Sequence, residues 1–195
     1  MKKLGITLVF LALIAFINCK DKNADAKEAV VEEVEKTVED EVKLVPKTVT
    51  LILESKSEST AAGKVNFTEV NGVVKMSAKI SGLTPGMHAI HIHEKADCSS
   101  PDGKSSGGHW NPTKVQHGKW GDTEGYHKGD IGNFEADENG VGTVSVETDE
   151  WCIGCGDENK DILGKAVIVH QGVDDFKTQP TGAAGGRVSC GGIIQ

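Results

Sequence analysis

Six of the seven histidines, His88, His91, His93, His109, His117 and His127, fall between Gly86 and Asp130, and His170 follows forty residues after that aspartate. Neutral imidazole is the commonest nitrogen ligand for copper and zinc, and carboxylate is a regular partner for zinc. Histidines at this density therefore point to one or two transition-metal sites without thiolate. A single loop histidine reads as a solvated surface residue. Three of them, His109, His117 and His127, with successive spacings of eight, ten and, to Asp130, three residues, suit a loop wrapped around a tetrahedral ion.

The elements that must position these residues are strands. From Thr48 onward apolar residues alternate with polar ones: Val49, Leu51 and Leu53; Val65 and Phe67; Val74, Met76, Ala78 and Ile80. Asn71-Gly72 marks a tight hairpin between the second and third runs, and Asn139-Gly140 marks another turn. Further strands are predicted at Met87 to Glu94, Ile131 to Asp137, Gly142 to Thr148, Lys165 to His170 and Arg187 to Gly191, eight in all with no helix in the domain. An all-β antiparallel barrel or sandwich follows. Two connections, about thirty-seven residues from Lys95 to Ile131 and about sixteen from Gln171 to Gly186, exceed ordinary loops and lack periodicity. Metal coordination and a disulfide are the physical means of ordering them.

Strand parity sorts the histidines. In Met87 to Glu94, Ile90 and Ile92 face the interior, so His88 on their side is expected to be a buried histidine bonded to backbone, not a ligand. His91 and His93 face outward with Ala89, where the long loop can cover them. In Lys165 to His170, Val167 and Val169 point inward and His170 outward with Ile168. Three histidines from two strands thus converge with a loop on an outer wall of the barrel.

The formal charge of −8 argues against nucleic-acid binding, which needs basic patches. Lys2 and Lys3 precede an apolar run, Leu4 to Ile17, with the length of a signal-peptide core. Phe16-Ile17-Asn18-Cys19 looks like a bacterial lipoprotein cleavage site, which makes residues 1–18 the signal peptide and Cys19 a lipid anchor; secretion with cleavage after Ala26 is the competing reading. The segment 19–47 is expected to be a charged flexible tether, with Val31, Val34, Val38 and Val45 too thin a stripe for a stable helix. The functional domain is expected over 48–195. Four further cysteines, Cys98, Cys152, Cys155 and Cys190, suggest disulfides in an exported protein, with three pairings open.

The stretches Gly86-Met87-His88-Ala89-Ile90-His91-Ile92-His93-Glu94, Gly108-His109-Trp110-Asn111-Pro112, His117-Gly118, His127-Lys128-Gly129-Asp130-Ile131-Gly132-Asn133, Val169-His170 and Gly185-Gly186-Arg187-Val188-Ser189-Cys190-Gly191-Gly192 resemble copper/zinc superoxide dismutase, in its bacterial exported branch. The resemblance runs from about Thr48 to Gln195. It implies an eight-stranded antiparallel Greek-key barrel, an immunoglobulin-like sandwich with two long active-site loops. It implies one copper ion on His91, His93, His109 and His170, and one zinc ion on His109, His117, His127 and Asp130, with His109 bridging. It further implies a ping-pong cycle in which superoxide leaves first as dioxygen and then as hydrogen peroxide, His109 supplying a proton. Asp174 matches the aspartate that links ligands of both metals, Arg187 the arginine that docks the anion, and Cys98 the partner of Cys190. A homodimer is left open.

Trp151-Cys152-Ile153-Gly154-Cys155-Gly156 departs from the family pattern. With no second CxxC to complete a zinc site and no surrounding βαβ unit, it is read as a local disulfide or two free thiols incidental to catalysis. The Gly-rich Thr181 to Gly186 lacks the Lys-Ser/Thr of a phosphate loop and reads as a flexible active-site wall. The expected function is superoxide dismutation in the cell envelope (periplasm). The alternative is a non-catalytic lipoprotein that buffers copper or zinc, which would need neither Arg187 nor an open copper position.

Overall fold

Alternation of buried and exposed residues runs through the first three strands, Lys47–Ser55 (β1), Ala62–Val70 (β2) and Val73–Ser81 (β3), in the computed structural model, which describes residues 45–195. In β3, Val74, Met76, Ala78 and Ile80 are buried and every intervening residue is exposed. Asn71 and Gly72 both take positive φ, 54° and 76°, which gives the tight turn whose twist suits a hairpin. The remaining strands are Gly86–His93 (β4), Gly132–Ala136 (β5), Gly142–Thr148 (β6), Ala166–His170 (β7) and Arg187–Gly192 (β8).

All neighbours pair antiparallel in the order β1-β2-β3-β6-β5-β4-β7-β8, and β8 closes on β1. The chain leaves β3 for β4 across the barrel and returns to place β6 beside β3, the Greek-key crossing that the resemblance implied. The interior is filled by Leu53, Val65, Phe67, Met76, Ile80, Ile90, Ile92, Val167 and Val169, each fully buried. Each large aliphatic or aromatic side chain so placed contributes about 1.5–3 kcal/mol of transfer free energy. Among the described residues, the one helical element is a short 3-10 turn, Lys104–Ser106.

Two features were not evident from pattern alone. The outward face of β4 and β7 is as buried as the inward one: His91, His93, Ala89, Ala166 and Ile168 are all inaccessible. The long loop after β4 covers that face, stapled by a Cys98–Cys190 disulfide that packs with Ala166 and Ile168 in a second small apolar cluster. A third long connection, residues 149–165 between β6 and β7, carries the CxxC segment and buries Trp151, Ile153 and Ile162 in the main core. The expected signal segment, Cys19 and most of the tether lie within residues 1–44, outside the described residues.

Candidate metal centre

The two arms of the long loop are laid on β4 by backbone bonds. Ile92 N donates to Gly129 O (2.9 Å), Trp110 N to Ile92 O (2.8 Å) and Glu94 N to Gly108 O (3.0 Å). Gly129 permits this approach, since a Cβ there would overlap Ile92 O. His109 is thereby held against His93 in an isolated bridge. On the other side, His91 pairs with Ile168 of β7, and a register shift after Val169 turns His170 toward the same wall.

Two groups result, each with its donor atoms within 4.8 Å of one another: His91, His93, His109 and His170; and His109, His117, His127 and Asp130. Ring centroids in the first lie 4.0 Å apart for His91 and His109, 4.9 Å for His91 and His170, and 5.0 Å for His93 and His109. In the second, Asp130 Oδ1 lies 2.8 Å from His109 Nδ1 and 3.3 Å from His127 Nδ1, while Oδ2 lies 3.0 Å from His117 Nδ1. Ligands about 2.0–2.1 Å from a tetrahedral ion are about 3.3 Å apart, so this spacing fits zinc closely.

One nitrogen on each of the six imidazoles is buried and without a hydrogen-bond partner: His91 Nδ1, His93 Nε2, His109 Nε2, His117 Nδ1, His127 Nδ1 and His170 Nε2. The opposite nitrogen is engaged in every case. His91 Nε2 donates to Asp174 Oδ2 (2.8 Å), His117 Nε2 to Asp174 Oδ1 (2.9 Å), His93 Nδ1 to Gly107 O (2.9 Å), His170 Nδ1 to Gly185 O (3.3 Å) and His127 Nε2 to Val115 O (3.2 Å). For these five, the acceptor holds one ring nitrogen and turns the other into the group. Buried polar atoms cost about 1–3 kcal/mol each when unpaired. Six converging on two points therefore fit two bound cations.

The electrostatics agree. Burial, reinforced by neighbouring imidazoles, pushes His93 and His170 well below the ordinary histidine value, and burial lowers His109 to about 4 against the pull of Asp130. Their lone pairs are thus free at neutral pH. Burial alone would lower His117 as well, but Asp130 and Asp174 raise it to about 9, a proton that a cation in the group displaces. Burial opposes ionisation of Asp130 and Asp174, yet their imidazole donors hold both well below the usual carboxylate range.

His88 stands apart. Its ring nitrogens lie 2.9 Å from His170 O and 2.8 Å from Thr84 O, the buried backbone-bonded position that parity predicts. Arg187 lines a cavity of about 270 Å³ together with His93, His170, Thr181, Lys104 and Asp102. Its Nη1 donates to Gly103 O (2.8 Å) and Ser106 Oγ (3.1 Å), which fixes the guanidinium on the cavity wall.

Several contributors escaped the sequence. Trp151 Nε1 donates to Lys128 O (2.8 Å), and Glu150 accepts from Tyr126 Oη (2.5 Å) and from Lys128 Nζ, so both flanks of His127 are clamped by the β6–β7 connection. The hydrogen bond from Tyr126, aided by burial, pushes that phenol up to about 12. Gly182, within the wall expected to be merely flexible, takes φ +66°, and a Cβ there would overlap Asp174 Oδ1. Only the glycine's positive-φ tolerance signals such a position in sequence, and that signal does not say what it makes room for.

A family model described as copper/zinc superoxide dismutase (SODC) matches residues 61–193. The chain is 36% identical over 140 residues to Cu-Zn superoxide dismutase 2 of Aquifex aeolicus (strain VF5), spanning 70% of this chain and 81% of that protein. It is 39% identical over 136 residues to the Cu-Zn superoxide dismutase of Caulobacter vibrioides, spanning 68% and 78%. The crystal structure of the clock protein EA4 superposes with a TM-score of 0.66 at 36% identity, covering 76% of this chain and 96% of that one. Because the matched segment runs from β2 to β8 and carries both histidine groups within it, the chain belongs to the copper/zinc superoxide dismutase family.

Proposed function

We propose that the two groups divide the metals: copper on His91 Nδ1, His93 Nε2, His109 Nε2 and His170 Nε2, and zinc on His109 Nδ1, His117 Nδ1, His127 Nδ1 and Asp130. The activity is that of the family, dismutation of superoxide to dioxygen and hydrogen peroxide with copper and zinc as cofactors. The observation that carries the assignment is the set of six unpartnered, inward-aimed imidazole nitrogens. Copper, when bound, supplies a one-electron couple, whereas zinc supplies charge and rigidity without redox chemistry.

The chain's own residues do the rest. Arg187 draws superoxide into the cavity above His93 and His170; Lys104 adds a second positive charge and Asp102 offsets part of it. A permanently charged guanidinium suits a small anion, and a concave site concentrates its field within a chain of net negative charge. His109 Nε2 is the nitrogen that takes up and returns a proton, while Nδ1 remains on the Asp130 side. Asp174 binds His91 and His117 at once, so neither group moves independently of the other. The buffering alternative leaves a fixed guanidinium on the wall of the cavity that His93 and His170 line without a use.

Export is supported by the N-terminal apolar run and by the two disulfides, which form in oxidising compartments. In this reading residues 1–18 direct export, Cys19 carries the lipid, 19–47 tether the domain of 48–195 to a membrane, and the compartment is the bacterial periplasm. Mass analysis of Cys19 in the mature protein tests it, an unmodified cysteine excluding the anchor.

The experiment for the function is superoxide decay after pulse radiolysis with the purified chain loaded with both metals. A second-order rate near about 10⁸–10⁹ M⁻¹s⁻¹ that collapses when copper alone is removed is expected. Decay no faster than in buffer, with both metals bound, refutes it.

A further inference from the structure

The β6–β7 connection brings together a second set of ligand-type side chains that the dismutase site does not use. Cys152 and Cys155 are joined by a disulfide, Cys152 buried and Cys155 exposed. The sequence offers this pair no partner motif, but the fold does. Asp161 closes the loop beneath it: Oδ1 accepts Gly154 N (3.0 Å) and Leu163 N (3.0 Å), and Oδ2 accepts Gly156 N (2.9 Å). The backbone is tied independently, with Cys152 N donating to Lys160 O (2.8 Å) and Ile162 N to Cys152 O (3.1 Å).

These five bonds do not pass through sulfur. Opening the disulfide therefore leaves two thiols on a loop that keeps its path. One ligand atom each from Cys152, Cys155 and Asp161 lies within 4.8 Å of the others. A carboxylate offers about four lone-pair sites, and three are engaged here, so Asp161 retains capacity to bind. Asp161 also lines a cleft of about 530 Å³ with Gly156, Glu158 and Asn159, through which solvent can reach it and complete the coordination.

We propose that the reduced Cys152–Cys155 pair and Asp161 form a third metal site, separate from the two imidazole groups, which takes one thiophilic cation of the zinc(II) or copper(I) type only while the disulfide is open. Opening requires a dithiol reductant. One of its thiolates attacks the exposed Cys155 sulfur, Cys152 leaves as thiolate, and the reductant's second thiol closes its own disulfide and releases Cys155. Two electrons pass to the cysteine pair, and the two thiol protons are conserved. The cation then displaces both protons to solvent and accepts two thiolates and one carboxylate oxygen. The oxidised pair has no thiolate to offer, so the site is gated by redox state. In the other disulfide Cys190 is fully buried and Cys98 only partly exposed, whereas Cys155 is exposed, which directs a mild reductant to Cys155 first.

The test uses the copper- and zinc-loaded chain, treated with a mild reductant, desalted anaerobically and titrated with cadmium(II), whose thiolate charge-transfer absorption reports sulfur ligation and not exchange at the imidazole sites. Alkylation followed by peptide mass mapping identifies which cysteines were freed. The expected result is one additional cadmium per chain with the thiolate band, protecting Cys152 and Cys155 from alkylation. The band is absent from the oxidised chain and from Cys155→Ser, and Asp161→Asn binds about tenfold or more weakly, a loss of about 1.4 kcal/mol. The proposal is overturned if Cys152 and Cys155 are both free yet no band appears, or if reductant opens Cys98–Cys190 while leaving this pair closed. Equal binding by Asp161→Asn, in a variant whose melting temperature matches the parent, also overturns it.

Discussion

Gly182→Ala is a one-carbon change that separates the two metals. In the folded chain the new methyl would overlap Asp174 Oδ1 and sit 2.7 Å from His117 Nε2, at a backbone φ of +66°. The left-handed conformation alone costs alanine about 1–2 kcal/mol. Relieving the overlap moves Asp174 Oδ1 away from His117 Nε2 and breaks a buried hydrogen bond of 2.9 Å. A hydrogen bond to a charged group contributes about 1.5–3 kcal/mol. Loss of a partner that orients a metal-bound histidine typically weakens metal binding by about 10–100-fold, or about 1.4–2.8 kcal/mol, so the two routes agree. The whole carboxylate must shift, but the damage falls chiefly on the His117 side, because the overlap is closest at Oδ1 and reaches His117 Nε2 itself while His91 uses the other oxygen, Oδ2. Zinc affinity should therefore drop by about 10–100-fold while copper affinity changes several-fold less. Competition against a chromogenic chelator, run separately for each ion, measures both. Zinc affinity within about twofold of the parent, or copper falling more than zinc, would refute the linkage through Asp174.

Arg187→Ala should slow superoxide turnover by about tenfold or more while both metals stay bound, and should flatten the dependence of the rate on ionic strength; unchanged turnover removes the docking role. Trp151→Phe leaves Lys128 O without its indole donor and should lower stability by about 1–3 kcal/mol. Zinc release into chelator should be faster in that variant, because the same carbonyl lies between His127 and Asp130; a loss of stability with unchanged zinc release would sever that connection. Burial alone would raise Asp161, but the Gly156, Leu163 and Gly154 amides hold it below the usual carboxylate range. Its contribution to loop stability is thus complete above the unfolded value of about 3.9 and is lost as pH falls through the lower folded value. Amide exchange at those three residues, corrected for intrinsic pH dependence, should accelerate over that acid range and show no such step in Asp161→Asn.

Period-two alternation exposed the strands β1 to β3 because each buries one face, and strand parity alone separates His88 from His91 and His93. Boundaries shifted by a few residues, as at β2, where the ends Ala62–Lys64 and Thr68–Val70 pair with β3 yet bury no side chain fully and carry no alternation of their own. Pattern does not mark the connection after β6 as long, although it runs from 149 to 165. Trp151, Ile153 and Ile162 are spaced too irregularly to declare themselves core, and only the barrel's filling shows where they go.

Residue types and their spacing pointed by themselves to one or two transition-metal sites without thiolate, since few other uses exist for histidines so clustered. Tertiary structure alone decided which ring nitrogen of each of these histidines is left unpartnered. That choice rests on acceptors at Gly107, Val115, Gly185 and Asp174, which two different loops deliver and no local pattern records. It likewise decided that Asp161 lies beside the cysteine pair and that Asp174 has room only because residue 182 lacks a side chain. Contacts of this kind depend on where distant backbone ends up, and that is set by the closure of the whole barrel.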